Sequence, residues 1–347
     1  MKNIDFVTIR EAEKFAKRKI KKQIFDWLQS GSEDNSTSNK NIIDLNNLRL
    51  KPFHLRKVGK IDLSTDFFGK KISSPLILSP MGHQTQFHKK GEIETAKGVD
   101  NVNTISFFST QGRMSLKDIR KNNINSKLCW TIFPFGNKNW IKKEIKDAEN
   151  NKCKAIALCI DANVRSHRYL DREARYDARK VGSRTNPIPP NQLAALDYDW
   201  DLVKFVKSKT KLPLIIKGIL SYEDANKCIK LGVDGIWISN HGGRMFNSGI
   251  SGVESLIEIK KRISKKKKKV KILVDGGVRK GSDILKFLCI GADYVGIGRP
   301  AMYGLILKGH NGVKEIFNIL NNELRTSMQN GGFKNFKECI ASRILYK

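Results

Sequence analysis

Gly235-Ile236-Trp237-Ile238-Ser239-Asn240-His241-Gly242-Gly243-Arg244 is the stretch on which the reading of this chain turns. The first four residues are apolar throughout and read as a buried strand. Directly after them come an imidazole that can take a proton near neutral pH and a guanidinium that can fork onto a carboxylate. Two glycines between them let the backbone turn sharply and approach a flat ligand. In a barrel of parallel strands, chemistry sits just past the C-terminal strand ends. Taken alone, the last six residues fit an ordinary strand-to-loop turn equally well, so the rest of the chain has to decide.

Working outward, seven further apolar runs are each followed or preceded by a helix-like segment. They are Leu76 to Leu78, Thr104 to Phe107, Leu128 to Ile132, Ala155 to Ile160, Leu214 to Ile216, Ile272 to Val274 and Tyr294 to Ile297. Eight buried strands alternating with helices predict an α/β protein, a closed (β/α)8 TIM barrel. The expected layout is a single domain over residues 1–347: an N-terminal helical cap (1–74), the barrel (75–312) and closing helices (313–347). Within the cap, apolar residues from Ile9 to Leu28 recur at helical spacing and stop at Ser30-Gly31, and a Ser- and Asn-rich loop gives way to a short helix by residue 46. Some fifty residues separate Asp161 from Leu214, starting with Arg165-Ser166-His167-Arg168 and including Pro187-Ile188-Pro189-Pro190. A long loop after strand 4 of a barrel is expected to act as a lid or binding loop.

Composition narrows the class. No apolar run approaches the ~20 residues that cross a bilayer, and the first residues lack a signal-peptide core. A cytoplasmic protein is expected, with contact to the inner face of the membrane as a second placement. The six cysteines, at 129, 153, 159, 228, 289 and 339, show no metal-ligand spacing and read as free thiols, and no metal site is expected. The net charge of +31 comes from 65 Lys and Arg against 34 Asp and Glu. That excess is diffuse lysine, the Lys265 to Lys269 run included, and no nucleic-acid motif accompanies it, so no nucleic-acid partner is expected.

The strand ends collect polar groups. Pro80-Met81-Gly82 closes the first run, Ser106 lies in the second, Thr131 and Phe133 in or after the third, Cys159 and Asp161 at the fourth. Lys217 ends the fifth, Ser239 and His241 the sixth, Asp275-Gly276-Gly277-Val278-Arg279 the seventh, and Gly298-Arg299 the eighth. The last two ends carry glycine turns, two arginines and a following helix N-terminus at the usual phosphate position of such barrels. A phosphate-bearing cofactor across the mouth is the inference. No G-x-G-x-x-G follows a strand, which argues against a nicotinamide-binding Rossmann domain.

These strings resemble the FMN-dependent α-hydroxy-acid dehydrogenase/oxidase family, whose members include glycolate oxidase, lactate oxidase, flavocytochrome lactate dehydrogenase and mandelate dehydrogenase. The likeness rests on Ser239 to Arg244, Val274 to Gly281 and Gly296 to Pro300, and runs from Ser30-Gly31 to the C-terminal helices. The resemblance implies FMN-dependent oxidation of an L-2-hydroxy acid, lactate-like or larger, to the 2-oxo acid. His241 matches the base that removes a proton while a hydride equivalent reaches the flavin, and Asp161 the carboxylate that holds it. Arg244 matches the substrate-carboxylate clamp and Arg168 a second pocket arginine. Lys217 matches the lysine beside the flavin ring. The positions matching FMN contacts are Pro80, Met81, Gly82, Ser106, Thr131, Cys159, Lys217, Ser239, Asp275, Gly276, Gly277, Val278, Arg279, Gly298 and Arg299.

Departures accompany the match. Trp27 and Phe133 stand where two substrate-binding tyrosines are usual, and neither offers a phenolic hydroxyl. Thr131 stands for a glutamine, and Cys159 and Met81 for threonines. Two functions follow: FMN redox catalysis on a substrate larger or more apolar than glycolate or lactate, or an FMN-binding barrel of altered or lost turnover that acts on a non-standard substrate or as a flavin- or anionic-surface-binding protein. The electron acceptor is open among oxygen, a quinone and a cytochrome, with a dehydrogenase expected over an oxidase. A homotetramer is what the resemblance implies.

Overall fold

The computed structural model describes residues 5–187, 190–263 and 270–346. The Lys265 to Lys269 run, Ile188 and Pro189 of the proline-rich stretch and Met1 to Ile4 lie outside the described residues. Each of the eight runs forms a strand: β1 (Leu76–Leu78), β2 (Ile105–Ser109), β3 (Lys127–Ile132), β4 (Ile156–Cys159), β5 (Leu214–Ile219), β6 (Gly235–Ile238), β7 (Lys271–Asp275) and β8 (Tyr294–Ile297). They form one closed parallel barrel, sealed where Val295, Gly296 and Ile297 of β8 pair with Leu76, Ile77 and Leu78 of β1.

Strand alternation builds two apolar layers. Ile215 points into the barrel with Ile77, Phe107, Trp237 and Leu273, while its neighbours Leu214 and Ile216 join the layer between strands and helices. The outer helices start where the sequence supplies caps. Ser115, Asn137 and Ser221 each accept from a backbone N–H three residues on, and Ser251 with Glu254 forms a full capping box.

The structure corrects the expected layout in four places. The first helical stretch is two helices, α1 (Ile9–Lys19) and α2 (Lys22–Gln29), broken at Ile20-Lys21, followed by α3 (Ser36–Asn47). The first 74 residues are not only helical: a hairpin of Thr65–Phe67 with Lys70–Ile72 plugs the barrel's N-terminal end. Phe67 packs edge-on against Tyr294 at 5.0 Å and Phe107 at 6.2 Å, which a pattern search for barrel strands does not capture. The long insertion contains the helix Tyr169–Glu173, two short 3-10 turns and the barrel helix Trp200–Lys209. At the end of the chain, the helix Arg299–Asn330 already spans residue 313, bends at Lys308-Gly309, and is followed by 3-10 turns and a strand, Ile344–Tyr346, paired with Leu48–Leu50. All six cysteines are unpaired and five are buried.

Candidate active site

The C-terminal strand ends surround a cavity of about 220 Å³. Pro80, Met81 and Gly82 line it after β1, Phe133 after β3 and Lys217 from β5. His241 and Arg244 follow β6, Asp275 to Arg279 follow β7, and Gly298 and Arg299 follow β8. Trp27, from the end of α2, and Arg168, from the insertion, complete the expected set at the wall. Asp161, Thr131, Cys159 and Ser239 sit one layer behind the surface.

Ser106 is a correction. The apolar run suggests that β2 ends at Phe107, but the strand continues to Ser109, so Ser106 sits inside the sheet opposite Leu78 and Leu128. It is Ser109 that lines the cavity.

The opening hexad is held by the N-terminal segment. His241, Gly242 and Gly243 take three consecutive left-handed φ values of 57°, 65° and 75°. At Gly243 this turn presses against the start of α3, where a β-carbon would overlap the Ser38 backbone. Asn240 Nδ2 donates to Asn41 Oδ1 at 2.9 Å and receives Asn41 Nδ2 on its own Oδ1 at 3.0 Å. Ser32 N–H closes the seam on Gly243 O at 2.7 Å.

Within this frame Asp161 Oδ1 lies 3.1 Å from His241 Nδ1 and 3.0 Å from the Cys159 thiol, which donates to it. Gly218, at φ 107°, makes room: a β-carbon there would lie 2.6 Å from Asp161 Cβ. Burial alone would raise the Asp161 carboxyl, but the Lys217 charge, His241 and the hydrogen bonds outweigh it and hold the group well below the usual carboxylate range. Burial pushes His241 down, and Lys217 adds to that against the pull of Asp161, so the resting imidazole is neutral. Lys217 is itself pushed up to about 12: burial opposes its charge, and Asp275 and Asp161 overcome that. Its ammonium donates to Ser239 Oγ at 2.8 Å, whose hydroxyl donates to Asp275 Oδ1 at 2.6 Å, and Ser79 donates to the other Asp275 oxygen at 3.2 Å.

The arginines are crowded. Arg244 Nη1 donates to the carbonyls of Trp27, Leu28 and Ser30 at 2.7–3.2 Å, and its guanidinium lies 5.3 Å from the Trp27 ring centre. Arg299 donates to Leu28 O at 3.2 Å, Ser38 Oγ at 2.8 Å and Gly242 O at 3.1 Å. The orphan carbonyls at the end of α2 thus anchor both cations. Burial, then the neighbouring arginines, push Arg244 well below its ordinary value and Arg299 down to about 10. Such mutual repulsion is relieved by anions bound in the cavity.

Several lining residues were not singled out from sequence. His83, Gln111, Phe135, Arg179 and Met245 are among them, and Arg165 was noted only as part of a basic stretch. His83 is neutral, pushed down to about 3 by burial and then by Arg113, whose Nε donates to His83 Nδ1 at 3.1 Å. Arg113 also reaches Ala178 O and, at 3.4 Å, Gly182 O, while Thr185 and Asn186 N–H groups donate back to Arg113 O at 2.8 and 2.9 Å. The insertion is therefore pinned over the β2 loop. Its periodicity is too weak to predict this, because polar side-chain bonds rather than an apolar face hold it.

FMN fits these residues. Thr131 Oγ1 is buried with no partner among the described residues, as a group awaiting a polar ligand would be. Among the described residues Arg279 makes one side-chain hydrogen bond, to its neighbour Val278 O at 2.9 Å. A closed parallel barrel with an arginine-lined glycine turn after β7 and β8 and a half-buried His–Asp pair at its mouth is a barrel enzyme built for a phosphate-bearing cofactor. The chain belongs to the FMN-dependent dehydrogenase family, whose model matches residues 16–346. It is similar to 2-hydroxyacid oxidase 2 of Bos taurus, 32% identical over 342 residues and 96% of each chain. It is also similar to a peroxisomal (S)-2-hydroxyacid oxidase of Arabidopsis thaliana, 32% identical over 340 residues, 94% of this chain and 93% of the relative. A mandelate oxidase crystal structure with 3,3-difluoro-2-hydroxy-3-phenylpropionic acid matches with a TM-score of 0.90 and 28% identity, covering 99% of both chains.

Proposed function

We propose that this protein oxidises an L-2-hydroxy acid, lactate-like or larger, to the 2-oxo acid in the cavity at the barrel mouth. The observation that carries the reading is the half-buried pair of His241 Nδ1 and Asp161 Oδ1 at 3.1 Å, with Arg244 three residues on at the same wall. FMN, when bound, supplies the acceptor for the two electrons that leave the substrate. Arg279, Arg299 and the Gly276-Gly277 turn would hold its phosphate, and Lys217 would offset charge beside its ring. Arg244 and Arg168 hold the substrate carboxylate. His241, neutral and with its Nδ1–H held by Asp161, takes a proton at Nε2. Asp161 then stabilises the imidazolium that forms.

Phe133 and Trp27 define how this site departs from a small-substrate pocket. The Phe133 ring centre is 5.8 Å from that of His241 and 5.7 Å from that of Phe135. The Trp27 ring lies edge-on to His83 at 5.7 Å, stacks on Phe87 at 5.6 Å and takes the Arg244 cation, so its role is packing. Apolar walls beside the base favour a substrate with a longer side chain than lactate.

For the electron acceptor we propose oxygen, with the names of the relatives as support, in place of the dehydrogenase expected from sequence. Homotetramer formation, a cytoplasmic location and contact with a membrane face stay proposals. Among the described residues no helix is long and apolar enough to cross a membrane. The test is anaerobic mixing of the flavin-loaded protein with (S)-lactate, (S)-mandelate and a long-chain (S)-2-hydroxy acid. Bleaching of the yellow flavin band is expected with at least one, and no bleaching with any acid would contradict the assignment.

A further inference from the structure

Two polar groups on the cavity wall carry donors that no hydrogen bond uses among the described residues. Arg165 lies four residues beyond Asp161, and its guanidinium approaches Asp177 at 3.5 Å and Asp171 at 4.0 Å. Both separations are ion-pair distances too long for hydrogen bonds, and among the described residues the side chain makes none. Asp177 is already occupied, taking Arg179 Nη2 at 2.6 Å and Arg179 Nε at 3.0 and 3.1 Å. Arg165 thus presents a planar fork of donors to the cavity.

The second group is Gln111, whose Nε2 is buried without a hydrogen-bond partner among the described residues. A buried amide donor left so calls for an acceptor. Gln111 stands beside Gly82, where an added β-carbon would lie 3.5 Å from Gln111 Cβ. Its loop and the insertion are joined by Arg113, which reaches Ala178 O next to Asp177. Arg165 and Gln111 therefore belong to one wall. On the same cavity lie Phe133, Phe135, Ala162 and Met245, an apolar patch that adjoins His241.

Charge points the same way. Seven Lys and Arg side chains line the cavity against two carboxylates, Asp177 and Asp275. A phosphate dianion and one substrate carboxylate leave part of that excess unneutralised. A wall that stays net positive attracts a further anion.

We propose that the preferred substrate is a 2-hydroxy dicarboxylic acid, with its methylenes against Phe133 and Phe135 and its distal carboxylate on Arg165 and Gln111. This rests on the 2-hydroxy-acid reading above and adds a second acid group to it. Arg165 is then a specificity-determining residue that leaves the reacting atoms alone.

The test compares kcat/KM of the flavin-loaded enzyme for (S)-2-hydroxyglutarate and for (S)-2-hydroxyhexanoate, whose chain ends in a neutral group. Wild type, Arg165→Leu and Gln111→Leu are measured, together with the Kd of 2-oxoglutarate from the flavin difference spectrum. The expected result is a preference of about tenfold or more for the dicarboxylate, as the loss of one charge-assisted contact implies. Arg165→Leu should abolish that preference and weaken 2-oxoglutarate binding, leaving hexanoate turnover within about twofold. Gln111→Leu should do the same to a smaller extent. A wild-type preference for hexanoate, or an equal loss on both acids in both variants, overturns the proposal while leaving 2-hydroxy-acid oxidation standing. Flavin that no acid reduces defeats both readings.

Discussion

Asp161 and His241 meet through one pair of atoms, Oδ1 and Nδ1 at 3.1 Å, and the second oxygen of Asp161 is buried with no partner among the described residues. A single hydrogen bond therefore fixes the imidazole tautomer and leaves Nε2 as the proton acceptor. Because burial and Lys217 push the imidazole below its ordinary value of 6.5, the base is neutral at neutral pH. As pH falls through the lowered value the base is protonated and activity is lost. The pH profile of kcat/KM should show an acid limb below pH 6.5. Asp161→Asn should shift that limb lower still and reduce kcat by about 10²–10⁴. An acid limb above the ordinary histidine range would contradict this electrostatic account.

Cys159 shares the same Asp161 oxygen. Its thiol, which burial and then Asp161 keep protonated, donates at 3.0 Å and lies 4.0 Å from His241 Nδ1. Removing that donor makes Asp161 more basic and strengthens its hold on a proton at His241. Cys159→Ala should therefore move the acid limb upward, and Cys159→Ser, which keeps a donor, should restore it. Identical profiles for all three proteins would show that the thiol only fills space.

Phe133→Tyr restores a phenolic hydroxyl beside the base. The gain of one buried hydrogen bond, about 1–3 kcal/mol, predicts roughly 5- to 150-fold better kcat/KM on lactate or glycolate. Steady-state assays decide it, and no change would mean that Phe133 does not face the substrate hydroxyl.

The reciprocal amide pair of Asn41 and Asn240 joins segments 199 residues apart. Asn41→Leu removes both bonds of the pair, leaving Asn240 only Ile250 O and the Gly243 N–H as partners, and loosens α3 from the hexad at a cost of about 1–3 kcal/mol for the two bonds. A lower Tm with weaker flavin retention is expected. Unchanged thermal unfolding would remove the pair from the account of site assembly.

Much of this was readable from residues alone where chemistry and period coincide. Gly235 to Ile238 is uniformly apolar because a parallel barrel strand is buried on both faces, and the polar groups after it mark the end that faces ligand. The same logic misplaced Ser106, since Phe108 and Ser109 extend β2 beyond its evident apolar run. The hairpin of Thr65–Phe67 and Lys70–Ile72 escaped because each strand has three residues and its meaning depends on Phe67 meeting Tyr294. Gln111 and Arg165 were invisible for another reason: what distinguishes them is a missing partner, which only the assembled fold shows.

The central claim is that His241 is the base for 2-hydroxy-acid oxidation on bound FMN. It is tested most directly by anaerobic stopped-flow reduction of the flavin-loaded wild type and of His241→Asn, each with a saturating (S)-2-hydroxy acid. Bleaching of the yellow flavin band should be fast in the wild type and slower by about 10²–10⁴ in a variant that still binds FMN and the 2-oxo product. Equal bleaching rates in the two proteins would contradict it.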